Sequence, residues 1–137
     1  MLTNARAVAI IPVSSFEKGI EYYGNKLGLP LEQTWDDLPQ NREARFTVGS
    51  TALGIYESVG AGQSRHTLAA LEVDDFDETI ADMRKRGVVF EEYDMPGMKT
   101  EDGVATFGEE KAAWFKDPDG NILVVAARVP ARKPAAV

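Results

Sequence analysis

Shifting the sequence by 60 residues lays Pro12-Val13-Ser14-Ser15-Phe16-Glu17-Lys18-Gly19-Ile20 onto Glu72-Val73-Asp74-Asp75-Phe76-Asp77-Glu78-Thr79-Ile80. Val13 meets Val73, Phe16 meets Phe76, and Ile20 meets Ile80. Such self-similarity constrains the fold more than any local signal, because both copies must form the same supersecondary unit. Each copy opens on a strand that is apolar on both faces, Ala7 to Ile11 and Thr67 to Leu71. A helix start follows each strand. Ser14 with Glu17, and Asp75 with Glu78, have capping-box spacing. The first helix carries Phe16, Ile20, Tyr23 and Leu27 on one stripe and stops at Gly28; the second carries Phe76, Ile80 and Met83 and stops at Gly87.

Three strand-like segments follow each helix: Leu31 to Trp35, Ala44 to Val48 and Ala52 to Glu57, then Val88 to Tyr93, Ala112 to Lys116 and Ile122 to Ala127. Gly49-Ser50 and Asp117-Pro118-Asp119-Gly120-Asn121 supply turn chemistry between them. The pattern predicts an α+β fold of two βαβββ modules in one domain. The modules cover 6–58 and 65–128, residues 59–64 form a flexible linker, and 129–137 form a loose tail.

Composition narrows the chemistry. A chain of 137 residues without cysteine has no disulfide, thiolate metal site or cysteine nucleophile, and its single histidine, His66, excludes any site that needs two. With 15 basic and 22 acidic residues the net charge of −7 repels a nucleic-acid backbone. No apolar run is long enough to span a bilayer, and Met1 to Arg6 lacks the layout of a secretory signal. These features predict a cytoplasmic protein that handles small molecules, with neither a membrane nor a nucleic-acid partner.

The residues from Arg6 to Arg128 resemble the vicinal oxygen chelate superfamily of glyoxalases, extradiol dioxygenases and bleomycin-resistance proteins. The most specific piece is Ala113-Trp114-Phe115-Lys116-Asp117-Pro118-Asp119-Gly120-Asn121-Ile122-Leu123, similar to the family's last hairpin. Pro12 to Phe16, Tyr22-Tyr23 and Leu27-Gly28-Leu29 are similar to its first strand, helix and helix stop. The resemblance implies that the sheets curl into a cleft, and that the chain is a homodimer, in some members with modules exchanged. It also implies metal-ligand positions at Val8, Leu68 and Val124. None of the three has a lone pair to donate, so no metal or other cofactor is expected. His66, two residues before Leu68, is one donor without partners.

If Val8, Leu68 and Val124 face the cleft, strand alternation brings Ile10, Ala70, Ile122 and Ala126 with them. Tyr56, Trp114, Trp35 and the rim residue His66 complete the lining. A lid from Met95 to Glu110 adds Met98 and Phe107. Asp36, Asp37, Glu57, Glu72, Glu91 and Glu92 form an acidic rim suited to a planar, hydrophobic, cationic ligand. The leading expectation is a protein that sequesters a hydrophobic or aromatic antibiotic, or a related metabolite, without metal or turnover. The alternatives are a metal-free lyase or isomerase acting on a small hydrophobic metabolite, and a regulatory dimer with a vestigial cleft. No catalytic residue is singled out.

Overall fold

The computed structural model describes residues 1–39 and 42–128. The proposed tail, 129–137, lies outside the described residues. The first module runs β1 (Ala9–Val13), α1 (Phe16–Ile20), a π-helical stretch (Glu21–Lys26), β2 (Leu31–Trp35), β3 (Glu43–Val48) and β4 (Thr51–Glu57). The second runs β5 (Thr67–Val73), α2 (Phe76–Lys85), β6 (Asp94–Met95), β7 (Met98–Glu101), β8 (Val104–Phe107), β9 (Glu110–Lys116) and β10 (Ile122–Ala127). Their sheets have the orders β1-β4-β3-β2 and β5-β10-β9-β8-β7-β6, with β1 parallel to β4 and β5 parallel to β10. The sequence repeat is therefore an architectural one, and the fold is α+β. Among the described residues no helix is long and apolar enough to cross a membrane.

One phase of β1, β3, β4, β9 and β10 is apolar and buried. Ile11 and Val13, Ala44 and Phe46, Leu53 and Ile55, Ala113 and Phe115, and Leu123 and Val125 join Phe16, Tyr23, Phe76, Ile80 and Met83 in one buried cluster. That cluster spans both modules, and each large side chain buried this way contributes about 1.5–3 kcal/mol. Gly28 and Gly87 end the helical segments at φ +78° and +88°, a conformation that favours glycine.

The hairpin turn between β9 and β10 locks the two modules together. The Asp117 carboxylate accepts from the Tyr23 hydroxyl (2.8 Å), the Asn121 amide (2.8 Å), and the backbone N–H groups of Asp119 (3.0 Å) and Asn121 (2.9 Å). Asn121, fully buried, also donates to the Pro12 carbonyl at 2.7 Å and accepts from the Gly62 N–H at 3.1 Å. Asp119 accepts from the Ser14 N–H at 3.0 Å. The 59–64 segment, expected as a flexible spacer, is thus tied to the turn. A Cβ on Gly62 (φ +74°) would lie 1.9 Å from the Asp119 carbonyl oxygen.

Four local expectations change. The first helix is capped by Ser15, whose Oγ accepts from the Lys18 N–H at 3.3 Å, while the Ser14 backbone N–H donates to Asp119. Asp75 caps α2 without a side-chain hydrogen bond. Val88 to Tyr93 is not a full strand: it makes a single β-bridge, Phe90 to Phe115, and further bonds that include one from the Glu91 N–H to the Trp114 carbonyl (2.8 Å) and one from the Thr100 N–H to the Tyr93 carbonyl (2.9 Å). The expected lid, Met95 to Glu110, is largely strand. Asp102 (φ 52°) and Gly103 (φ 79°) form a tight turn that pairs Glu101 with Val104, and so recruits the segment to the sheet edge.

Candidate functional site

Opposite the core, the first sheet carries a face set by alternation. Register places Ile10, Gly54, Arg45 and Gln33 in one row across β1, β4, β3 and β2, and Pro12, Tyr56, Glu43 and Trp35 in the next. Ile10, Trp35 and Tyr56 are 41%, 42% and 39% exposed, unusual for side chains of this size grouped on one face. Gly54 leaves a gap that Ile10 fills, since a Cβ there would lie 2.7 Å from the Ile10 Cδ1. The Arg45 guanidinium stacks on the Trp35 ring at 5.1 Å.

The second sheet has a matching face. Ala70, Val124 and Trp114 lie in one row across β5, β10 and β9. The Trp114 indole donates to the Thr67 Oγ1 at 3.1 Å and meets Tyr93 edge-to-face at 5.8 Å. Leu68 does not join this face. The pairing slips between Ile122 and Leu123, so Thr67 faces Ile122 while Leu68 is bulged and packs against the core. Phe107, paired with Glu110, shares the side of Ala112 and Trp114 and is exposed at its far end; Met98 lies on the outer β7, paired with Met95. His66 is exposed just ahead of β5, and its hydrogen bonds are backbone contacts with the Ser64 hydroxyl.

The sequence-predicted residues therefore fall in two groups within one chain. Five cavities among the described residues hold none of Ile10, Trp35, Tyr56, Trp114 or Val124. Val8 instead lines a groove of about 940 Å³ between the β3–β4 turn and the β5–α2 junction. The metal positions implied by the fold do not fit a metal: Val8 and Val124 are aliphatic and Leu68 is turned into the core. Among the described residues no group of three His, Cys, Asp or Glu side chains is placed to hold an ion.

Half of the acidic rim is engaged. Glu57 accepts from the Arg42 Nε at 2.6 Å, Glu91 pairs with Lys116 at 3.4 Å, and Glu92 accepts from Thr100 (2.8 Å) and the Gly103 N–H (2.6 Å). Hydrogen bonding to Arg42 holds the Glu57 carboxyl below its ordinary range. The cation at the centre of the first face, Arg45, was missed by the sequence reading. The alternation Ala44, Phe46, Val48 was the signal that places it opposite the core.

Residues 6–125 match the model of the Glyoxalase/Bleomycin resistance protein/Dioxygenase superfamily. No curated protein matches the chain. A glyoxalase family protein from Enterococcus faecalis is 21% identical with a TM-score of 0.67, over 92% of this chain and 99% of that one. TnmS3, an antibiotic binding protein from Streptomyces sp. CB03234, is 21% identical with a TM-score of 0.65, over 94% and 99%. A superfamily member from Sphaerobacter thermophilus DSM 20745 is 20% identical with a TM-score of 0.67, over 93% and 100%. The family match covers most of the chain and the solved structures share its architecture, so the chain belongs to the glyoxalase/bleomycin resistance protein/dioxygenase superfamily.

Proposed function

We propose that this protein sequesters a hydrophobic, aromatic antibiotic or related metabolite between apolar sheet faces, without metal and without turnover. The observation that carries the reading is the exposed face of Ile10, Tyr56 and Trp35, set where the family's fold implies a cleft, with aliphatic side chains at the metal positions. Stacking and burial there supply affinity. The antibiotic-binding activity of TnmS3, a structural relative, supports the class of ligand. The acting form is a homodimer in the cytoplasm. A second copy brings the face of Trp35 and Tyr56 opposite the face of Trp114 and Val124, which one chain leaves apart.

Intrinsic tryptophan fluorescence, titrated with planar anthraquinone-type antibiotics and followed by recovery of the compound, tests this reading. Saturable quenching with the compound returned intact is expected. A chemically altered compound overturns it in favour of an enzyme. Sedimentation velocity tests the dimer, and a monomer at micromolar concentration removes the two-faced cleft.

A further inference from the structure

We infer that Arg45 is a carboxylate receptor in the ligand face, so that the molecule taken up is a planar aromatic acid. This inference rests on the ligand-binding reading above and reverses the cationic ligand that the acidic composition suggests. Arg45 occupies the middle of the face, between Gly54 and Gln33 in the cross-strand row, and stacks on Trp35. It has no acidic partner among the described residues, although Glu43 stands two residues away on the same strand face. Its Nε is the one side-chain nitrogen or oxygen that is buried without a hydrogen-bond partner among the described residues.

These observations belong together. A guanidinium in a protein with 22 acidic residues ordinarily finds one, as Arg42 finds Glu17 and Glu57. Arg45 is kept from doing so by a strand that aims it at the apolar face and by a tryptophan that supports its plane. A donor sealed from water without an acceptor costs free energy, which a charge-assisted bond to the guanidinium offsets. The planar fork of arginine matches the two oxygens of a carboxylate. A ring seated over Ile10, Gly54 and Tyr56 places an attached carboxylate at the fork.

The test uses the full chain and two probes of the same ring, anthraquinone-2-carboxylate and anthraquinone-2-carboxamide, with dissociation constants from tryptophan quenching. The wild type should bind the acid about tenfold to a hundredfold more tightly than the amide. Arg45→Met should abolish that preference, so that the acid and the amide bind alike. Arg45→Lys keeps the charge without the fork and should recover part of the preference. Near-UV circular dichroism confirms that each variant is folded. Equal binding of the two probes by the wild type, or a preference that survives Arg45→Met, overturns the receptor and leaves the aromatic cleft standing. Failure of both probes to bind overturns the receptor and the cleft together.

Discussion

The two ends of the repeat are built from matching parts and finished in opposite ways. At one end the β9–β10 turn of the second module meets the end of β1; at the other the β3–β4 turn of the first module faces the end of β5. At the first end Asn121 reaches the Pro12 carbonyl, Asp119 reaches the Ser14 N–H, and the contact is sealed. At the second, Gly49 and Ser50 have no side chain of comparable reach, and a groove of about 940 Å³ remains. Glu72, which matches Pro12 in the repeat, has its carbonyl met at 3.5 Å by Arg128 of its own module. A five-residue turn rich in Asp and Asn locks, whereas a two-residue Gly-Ser turn leaves space. Duplication supplies the symmetry, and turn length and turn side chains decide which junction carries load.

Paired glycine substitutions test this contrast with the largest expected effect. Gly62 and Gly49 both have positive φ, +74° and +57°. At Gly62 a Cβ would sit 1.9 Å from the Asp119 carbonyl oxygen, while at Gly49 nothing lies within 4 Å. Gly62→Ala should cost about 3 kcal/mol or more, combining backbone strain with a clash against main chain. Gly49→Ala should cost about 1 kcal/mol, from conformation alone. Urea unfolding of both variants measures the difference, and similar costs would show that the 59–64 segment moves away from the turn freely.

A second pair compares the polar contacts themselves. Asn121→Ala removes bonds to Pro12, Gly62 and Asp117 in a buried place and should cost about 3 kcal/mol. Arg128→Ala, at the open end, should cost less than about 1 kcal/mol because its partners are exposed. Tyr23→Phe, which loses the hydroxyl bond to Asp117, should fall between them at about 1–2 kcal/mol. The locked end also has an alkaline signature. Burial first, and then the charge of Asp117, hold the Tyr22 and Tyr23 hydroxyls above the ordinary tyrosine range; for Tyr23 the hydrogen bond to Asp117 adds to this. Their contribution is complete below an unfolded-state pKa of about 10 and is lost as pH rises above it, at about 1.4 kcal/mol per pH unit for each tyrosine. Tyr23→Phe should flatten the fall in urea midpoint above about pH 10.

Much of this was legible in the residues. The repeat, the β2 bounds Leu31–Trp35 and the positive-φ stops Gly28 and Gly87 follow from periodicity and glycine. The β6–β8 meander was hidden because its turn signal, Asp102-Gly103, sits among glycines, methionines and charges that read as a loop. The bulge at Leu68 was not readable, since a one-residue slip leaves composition unchanged while reversing the face. The Asp117–Asn121 turn was recognised as a turn, but its bond to Pro12 crosses 109 residues, and no local pattern carries that. Arg45 is legible from the apolar phase of β3, whereas its lack of an acidic partner among the described residues depends on contacts that the sequence does not display.

The smallest expected effect concerns a pair of ion contacts that the repeat also duplicates. Glu17 and Asp77 are matching helix residues, and each meets a cation: Arg42 for Glu17, and Lys111, at 3.2 Å, for Asp77. Only Arg42 is held twice, with its Nε on Glu57 at 2.6 Å and its guanidinium over the Phe16 ring at 5.1 Å. Hydrogen bonding to Arg42 is the main cause that lowers both the Glu17 and Glu57 carboxyl pKa values. A depressed carboxyl contributes stability above its unfolded pKa, about 4.3 for glutamate, and loses it as pH falls through the lower folded value. Glu57→Gln should therefore be less stable than wild type at neutral pH, by less than Tyr23→Phe, with the gap closing as pH falls below about 4. Asp77→Asn should stay within about 0.5 kcal/mol of wild type throughout. Equal acid limbs for wild type and Glu57→Gln would mean that the bridge from α1 to the end of β4 is too exposed to carry load, so that the buried turn and not this bridge sets the two ends of the repeat apart.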